Sequence, residues 1–392
     1  MTSAIDLWIE YILRFSHLVA GISWIGSSFY FIWLDSSFMP PENPRHNVEG
    51  EVYMVHGGFY YQVDKRKIYP GEIPKTLHWF KWEATLTWIT GFFLFAFLYY
   101  LKGATLLINP QALDLTQMQA IGLSLGLIIG SWFVYDLIWN ANLIKIKAIS
   151  IFLSLCYFVA MIYGLTRIFS GRGAFILMGV IMGSLMLLNV WVRILPGQAK
   201  MLKEALAGQV PDYSVSLKSK VRSVHNTYFI FPVLFIMLSN HYPGTYGHPY
   251  NWILLIILSV SGAMVRHTMV TKNTKERWLL IPAAIGMMAL VFVSSIQVKS
   301  NANSEMPPPS QVDFAYVRTI VEARCQRCHS THNTDENFKV PPKDVVLETE
   351  EQLRKHKDLI IKQVENKAMP LANLTSMTDN EREALIKWMK TL

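Results

Sequence analysis

The chain has 392 residues, of which 52% are hydrophobic and only 16% charged. That balance is too apolar for a soluble globular protein, and the length allows two units. The net charge of +8 comes from lysines and arginines scattered along the chain, which excludes the concentrated basic patch of a nucleic-acid interface. With three cysteines, two of them inside 325–329 and Cys156 alone in an apolar run, a disulfide scaffold is excluded as well.

The first apolar run, Leu7 to Leu34, follows Asp6 and contains Glu10 and Arg14. It lacks a basic leader and a small-residue cleavage site, so it reads as a retained helix. Seven further runs of bilayer-spanning length fall near Trp82–Leu101, Met118–Trp139, Ala148–Phe169, Ala174–Leu195, Thr227–Asn240, Trp252–Val270 and Trp278–Val298. The sixth is short and carries Pro232, with His225 to His241 making up its length. Between the first two spans, Glu51–His56 and Phe59–Val63 flank Gly57-Gly58 and predict a β-hairpin. Its aromatic residues Tyr53, Phe59, Tyr60 and Tyr61, with His56, are able either to stack on a flat heterocycle or to form an interfacial belt.

After a proline-rich linker at 299–312, Phe314–Cys325 predicts a helix leading into Cys325-Gln326-Arg327-Cys328-His329. This C-x-x-C-H pentad is the attachment site of one covalent c-type haem: the two thiols form thioethers and the imidazole binds iron. Met369, before Pro370, is the expected sixth ligand, and Met377 is its rival. Pro341 or Pro342 is expected to offer its carbonyl to the second ring nitrogen of His329. Thr349-Glu350-Glu351-Gln352 and Thr378-Asp379-Asn380-Glu381 each predict a capping box opening a helix.

Covalent haem attachment belongs outside the bacterial inner membrane, so eight spans place both termini in the periplasm. The basic residues agree: Arg45, Lys65, Arg66, Lys67, Lys75, Lys145, Lys147, Lys200, Lys203, Lys218, Lys220, Arg222, Lys272, Lys275 and Arg277 all fall on inner loops. On this topology His78 and Glu83, Asp136 and Asn140, Asn189 and Arg193, His225 and Asn226, and Arg266 and His267 gather at the cytoplasmic helix ends. Ionisable groups there read either as a polar cavity or as snorkelling and interhelical hydrogen bonds. Deeper in the first span, His17, Gly21 and Trp24 share one face. That face admits a b-type haem, and equally a close helix contact around a hydrogen-bonded histidine.

Several segments together resemble the bacterial membrane-bound urate hydroxylases: Gly21 to Asp35, Gly50–Tyr60, Leu77-His-Trp-Phe-Lys-Trp-Glu-Ala84, and His225-Asn-x-Tyr with Pro232 to Phe235 and Ser239-Asn-His-Tyr242. The chain departs from that family at Gly57-Gly58, where three glycines are expected. The resemblance implies an all-α fold, with an eight-span transmembrane bundle over 1–298 and a small class I-like cytochrome c domain over 313–392. It also implies oxidation of urate to 5-hydroxyisourate, with electrons passing through the haem to a respiratory-chain acceptor, either a soluble cytochrome c or a terminal oxidase. His56, His225 and Glu83 are then candidates for the base, and Arg193, Arg266 or Lys81 for contact with the substrate anion. The competing expectation is a membrane-anchored cytochrome c module that relays electrons from quinol or a partner enzyme. A transporter-like bundle ranks below both.

Overall fold

The computed structural model describes residues 4–101, 104–109, 112–140, 146–271, 273–295, 312–332, 341–373, 375 and 377–392. Of the linker at 299–312, only Val312 falls among them. The membrane region begins with α1 (Ala4–Ser37), the hairpin β1 (Val48–His56) and β2 (Phe59–Arg66), and α2 (Trp82–Tyr99). It continues with α3 (Gln117–Asn140), α4 (Lys147–Ile168), α5 (Gly171–Leu188), a π-helical stretch over Asn189–Ile194, and α6 (Leu195–Leu206). Next come α7 (Tyr213–Ser239), the short α8 (Pro243–Tyr246), α9 (Asn251–Val270) and α10 (Leu280–Ser295).

Among the described residues, eight helices are long and apolar enough to cross a membrane, in agreement with the eight runs read from the sequence. They expose Ile5, Trp8, Phe15, Phe133, Phe152, Ile285 and Phe292, the kind of surface that a multi-pass membrane protein turns toward lipid. The sixth span is corrected in length: α7 runs for 27 residues, from Tyr213 to Ser239. Its first half is polar and reads as loop by hydropathy, yet Ser219 and Arg222 in that half are buried against neighbours.

The central helix is α5. Phe175, Leu177, Met178, Ile181 and Met182 on it are all buried, and Gly179 lets α7 come so near that a Cβ there would lie 2.8 Å from Ile236. The Ser170 hydroxyl caps α5 by accepting from Gly173 N. At its other end Pro196 cannot donate to the carbonyl one turn back. The helix answers by widening into a π turn over Asn189–Ile194 before α6 resumes, a distortion frequently found at functional sites.

The hairpin forms as expected and is longer than expected. Gly57 and Gly58 turn it with φ of +61° and +82°, the pair of positive values a tight two-residue turn requires. Arg45 ties it together, donating to Glu51 at 2.6 Å and Asp64 at 2.7 Å.

The C-terminal unit contains α11 (Phe314–Arg324), α12 (Glu350–Lys355), α13 (Lys357–Glu365) and α14 (Asp379–Thr391). It has its own core, in which Val317, Ile320, Leu353, Val364, Met377, Leu385 and Met389 are buried together. Both capping boxes are present, with the Thr349 and Thr378 side chains accepting from Gln352 N and Glu381 N.

Candidate functional site

The π turn positions a polar network that joins α3, α5 and α7. Asn189, fully buried at its start, donates from Nδ2 to the Tyr135 hydroxyl at 3.0 Å and to Asn226 Oδ1 at 2.8 Å. The Tyr135 hydroxyl lies 2.7 Å from His225 Nδ1, and the edge of Trp139 meets the His225 ring at 4.1 Å. Arg193, on the same turn, donates from both Nε and Nη2 to Asp136, a two-point pair. Arg222, one helical turn before His225, donates to Asp136 Oδ1 at 2.8 Å and lies over the Tyr135 ring at 4.8 Å. Two guanidiniums therefore share one carboxylate, which leaves the network net positive. Arg222 Nη1 and Asn189 Oδ1 are buried without a partner. Such an arrangement is able to attract a planar anion and to pass a proton between tyrosine and imidazole.

Five residues expected at one end of the bundle, Asp136, Asn189, Arg193, His225 and Asn226, are thus brought together. The Asn140 side chain lies outside the described residues. Tyr135 and Arg222 were missed, Tyr135 because it reads as an apolar-face aromatic and Arg222 because it reads as a loop cation. Their signal was helical spacing: Arg222 is one turn from His225, and Tyr135 is adjacent to Asp136.

The other candidate bases stand apart. His56 is exposed at the hairpin turn, and its neighbours Phe59 and Tyr60 are 72% and 73% exposed, so among the described residues the hairpin rings enclose no slot for a heterocycle. Glu83 begins α2, with Oε1 3.9 Å from His78 and Oε2 buried without a hydrogen bond. Lys81 lies over Trp82 and Trp191. Arg266 and His267 belong to a second grouping: His267 Nδ1 is 2.5 Å from the Tyr228 hydroxyl, and its Nε2 is 2.7 Å from Glu276.

His17 is held as a packing residue. Its Nδ1 donates to Thr87 O at 3.0 Å, and its ring rests on α2 where a Cβ at Gly91 would come within 2.6 Å. The apolar cavity beside it, lined by Trp24, Trp88, Phe92 and Phe95, has a volume of 260 Å³. That is less than the 300 Å³ or so at which pockets for drug-sized ligands begin, and no second imidazole lines it. The residues present do not fit a b-type haem.

In the C-terminal unit Cys325, Cys328 and His329 occupy one turn after α11, with His329 N donating to Cys325 O at 2.9 Å. His329 Nδ1 donates to Val345 O at 2.9 Å. The carbonyl that fixes the ring is therefore Val345, not Pro341 or Pro342, because the 3-10 turn at Pro342–Asp344 carries the chain past the prolines first. With Nδ1 engaged, Nε2 is the nitrogen left for a ligand bond. Two thiols and an oriented imidazole are the donor set that a c-type haem requires. Burial pushes the Cys325 thiol up to about 12 and holds the His329 imidazole below its ordinary value, with the Val345 hydrogen bond opposing. Met369 is half-buried, and its carbonyl accepts from Arg382 at 2.5 Å, whereas Met377 is 2% exposed within the helix core.

A polar cleft of 430 Å³ lies between this unit and the bundle, lined by Ser170, Arg172, Tyr246, Lys367, Asp379 and Arg382. Ser170 and Asn189 are opposite ends of α5, about 28 Å apart at 1.5 Å per residue. The cleft and the Tyr135–His225 network therefore sit at opposite ends of the bundle.

The sequence model of the urate oxidase N-terminal family matches residues 3–296. The chain belongs to the urate oxidase N-terminal family. All eight candidate spans fall within the matched region, and so does every polar grouping of the bundle, which ties this chain to urate-related oxidoreductase chemistry. The C-terminal unit lies beyond the match. Comparison with curated proteins and with solved structures gives no significant match.

Proposed function

We propose that the chain is a bacterial inner-membrane urate hydroxylase that converts urate and water to 5-hydroxyisourate, two protons and two electrons. The electrons leave through one covalent c-type haem on the C-terminal unit. The observation that carries this reading is a urate oxidase family membrane region continuous with a C-x-x-C-H turn whose histidine is already oriented. A c-type haem held there would supply a one-electron acceptor, and the two-electron oxidation would then call for two transfers and a respiratory-chain partner. Both termini are periplasmic on this reading.

The chain's own residues divide the work. The positive balance around Asp136 draws the urate anion to the inner end of the bundle, and the Tyr135–His225 pair takes up the ring proton. Cys325, Cys328, His329 and Met369 would hold the haem, with Val345 fixing the His329 ring and Met377 committed to the core. Between the two ends Trp88 stacks on Phe92 at 5.1 Å, and Phe95 stacks on Tyr99 at 5.0 Å, along the face of α2.

The test is anaerobic addition of urate to haem-loaded protein while the reduced c-haem bands are followed. Reduction with stoichiometric loss of urate supports the reading. A haem that quinol reduces and urate does not would instead make the chain an electron relay. The polar cleft at the outer end offers a second placement for the substrate, with Arg172 as its cation. If Arg172→Gln abolishes urate-dependent reduction and His225→Gln leaves it intact, the substrate binds there.

A further inference from the structure

Arg266 has the most unusual environment of any charged side chain in the bundle. It is fully buried, at 0% exposure, in α9. Its Nη1 has only the Met269 sulfur, at 3.8 Å, for a partner. Nε and Nη2 are buried with no hydrogen bond at all, and among the described residues no carboxylate pairs with it. The Phe29 ring covers one face of the guanidinium at 4.3 Å. Phe29 also packs on Phe231 at 6.2 Å, and α9 is pressed onto α7 where a Cβ at Gly262 would meet Phe231 at 3.0 Å. The guanidinium is therefore clamped by α1, α7 and α9 and cannot swing to solvent without parting helices.

The two unpartnered nitrogens are not an arbitrary pair. Nε and Nη2 form the side-on edge of the guanidinium, the edge that donates two parallel hydrogen bonds to a planar oxyanion. An arginine buried in an apolar bundle with its face covered and this edge unpartnered is short of a counter-anion. Of the three cations expected to touch substrate, Arg193 is committed to Asp136 and Lys81 to the Trp82 and Trp191 rings. Arg266 alone has an uncommitted edge.

We propose that Arg266 and Phe29 form a binding site for a planar monoanion that presents two acceptor atoms on one edge, a carboxylate or a deprotonated imide. On the function proposed above, on which this assignment of the ligand rests, the occupant is the urate anion, and Arg266 fixes its orientation. The neighbouring chain Tyr228–His267–Glu276 borders the site. Glu276 accepts from His267 Nε2, which leaves His267 Nδ1 to accept from Tyr228.

The experiment is calorimetric titration of the full-length protein in nanodiscs with urate and, separately, with benzoate. It compares wild type, Arg266→Gln, Arg266→Lys and Phe29→Leu. Lysine keeps the charge but loses the planar edge, and Phe29→Leu leaves the arginine in place should its variants fail to fold. Expected is at least a 30-fold loss of affinity in Arg266→Gln, about a 10-fold loss in Arg266→Lys, and a smaller loss in Phe29→Leu. Benzoate binding that depends on Arg266, with no urate binding to wild type, keeps the anion site and refutes the urate reading. Urate binding with equal affinity to wild type and to all three variants refutes the site and leaves the urate reading standing. Binding of neither probe to wild type refutes the site.

Discussion

Two buried arginines on neighbouring helices, Arg222 on α7 and Arg266 on α9, solve the same problem in opposite ways. Arg222 is 4% exposed and answers Asp136, which also holds Arg193. Arg266 is fully buried and answers nothing but a thioether and a ring. A charge in a membrane bundle costs about 2.5–3.5 kcal/mol near a helix centre on insertion scales. The first arrangement recovers that cost inside the chain, and the second does not. On the proposal above, the difference separates a cation answered by the chain's own carboxylate from one whose counter-anion is a ligand.

The sharpest way to break the comparison is to remove the shared counter-ion. Asp136→Asn leaves the buried Arg222 and the half-buried Arg193 with no carboxylate, and stability is expected to fall by about 3–5 kcal/mol, read as a lowered thermal midpoint in nanodiscs. Arg266→Gln deletes an unpaired cation, so its midpoint in the absence of anion is expected to match or exceed that of wild type. Equal losses in the two variants would mean that Arg266 is structural and that the contrast is false. Next in size is His225→Gln, which keeps a hydrogen-bonding side chain beside Tyr135 but cannot take a proton at neutral pH. Urate turnover is expected to fall about 100-fold with urate affinity little changed. A fall in affinity alone would make His225 a binding residue and move the base elsewhere.

These contrasts were only half legible in the sequence. The eight spans, the glycine hairpin, both capping boxes and the C-x-x-C-H turn are local patterns, and each is written in a few consecutive residues with a definite period or spacing. The gathering of Asp136, Asn189, Arg193, His225 and Asn226 was legible as well, because topology puts the ends of alternate helices together. What was not legible is who pairs with whom. Asp136 lies at the end of one helix, and nothing local tells that it takes both Arg193 and Arg222 and leaves Arg266 unpaired. That allocation depends on the rotation of each helix about its axis. The π turn contributes by rotating Asn189 and Arg193 relative to the rest of α5, and its only written trace is Pro196. The same limit explains His329: a carbonyl downstream was expected, but a 3-10 turn of three residues decided that it would be Val345.

A third arginine extends the comparison into water. Arg324, at the end of α11, makes a two-point pair with Glu381 on α14, donating from Nη2 at 2.9 Å and Nε at 3.1 Å, with the two side chains 27% and 20% exposed. Glu381 Oε2 also accepts from Thr378 N at 2.7 Å, closing the capping box. Burial by itself would raise this carboxyl, but Arg324 and the Thr378 amide outweigh it and hold Glu381 below the ordinary carboxylate value. A carboxyl whose value is lowered by folding contributes its stability at pH above the unfolded value, and that contribution is lost as pH falls through the folded value. Solvent screens part of the pair, so Glu381→Gln is expected to cost about 1–2 kcal/mol, less than the loss at Asp136. Hydrogen exchange across 378–391 reads this as roughly a 5- to 30-fold loss of protection at pH 7, after correction for intrinsic rates. In wild type the same protection is expected to decline as pH drops below the ordinary carboxylate range, and the glutamine variant should lack that step. If the variant exchanges as slowly as wild type at pH 7, the pair is worth no more than a surface bridge, and α14 is held by Leu385, Trp388 and Met389 alone.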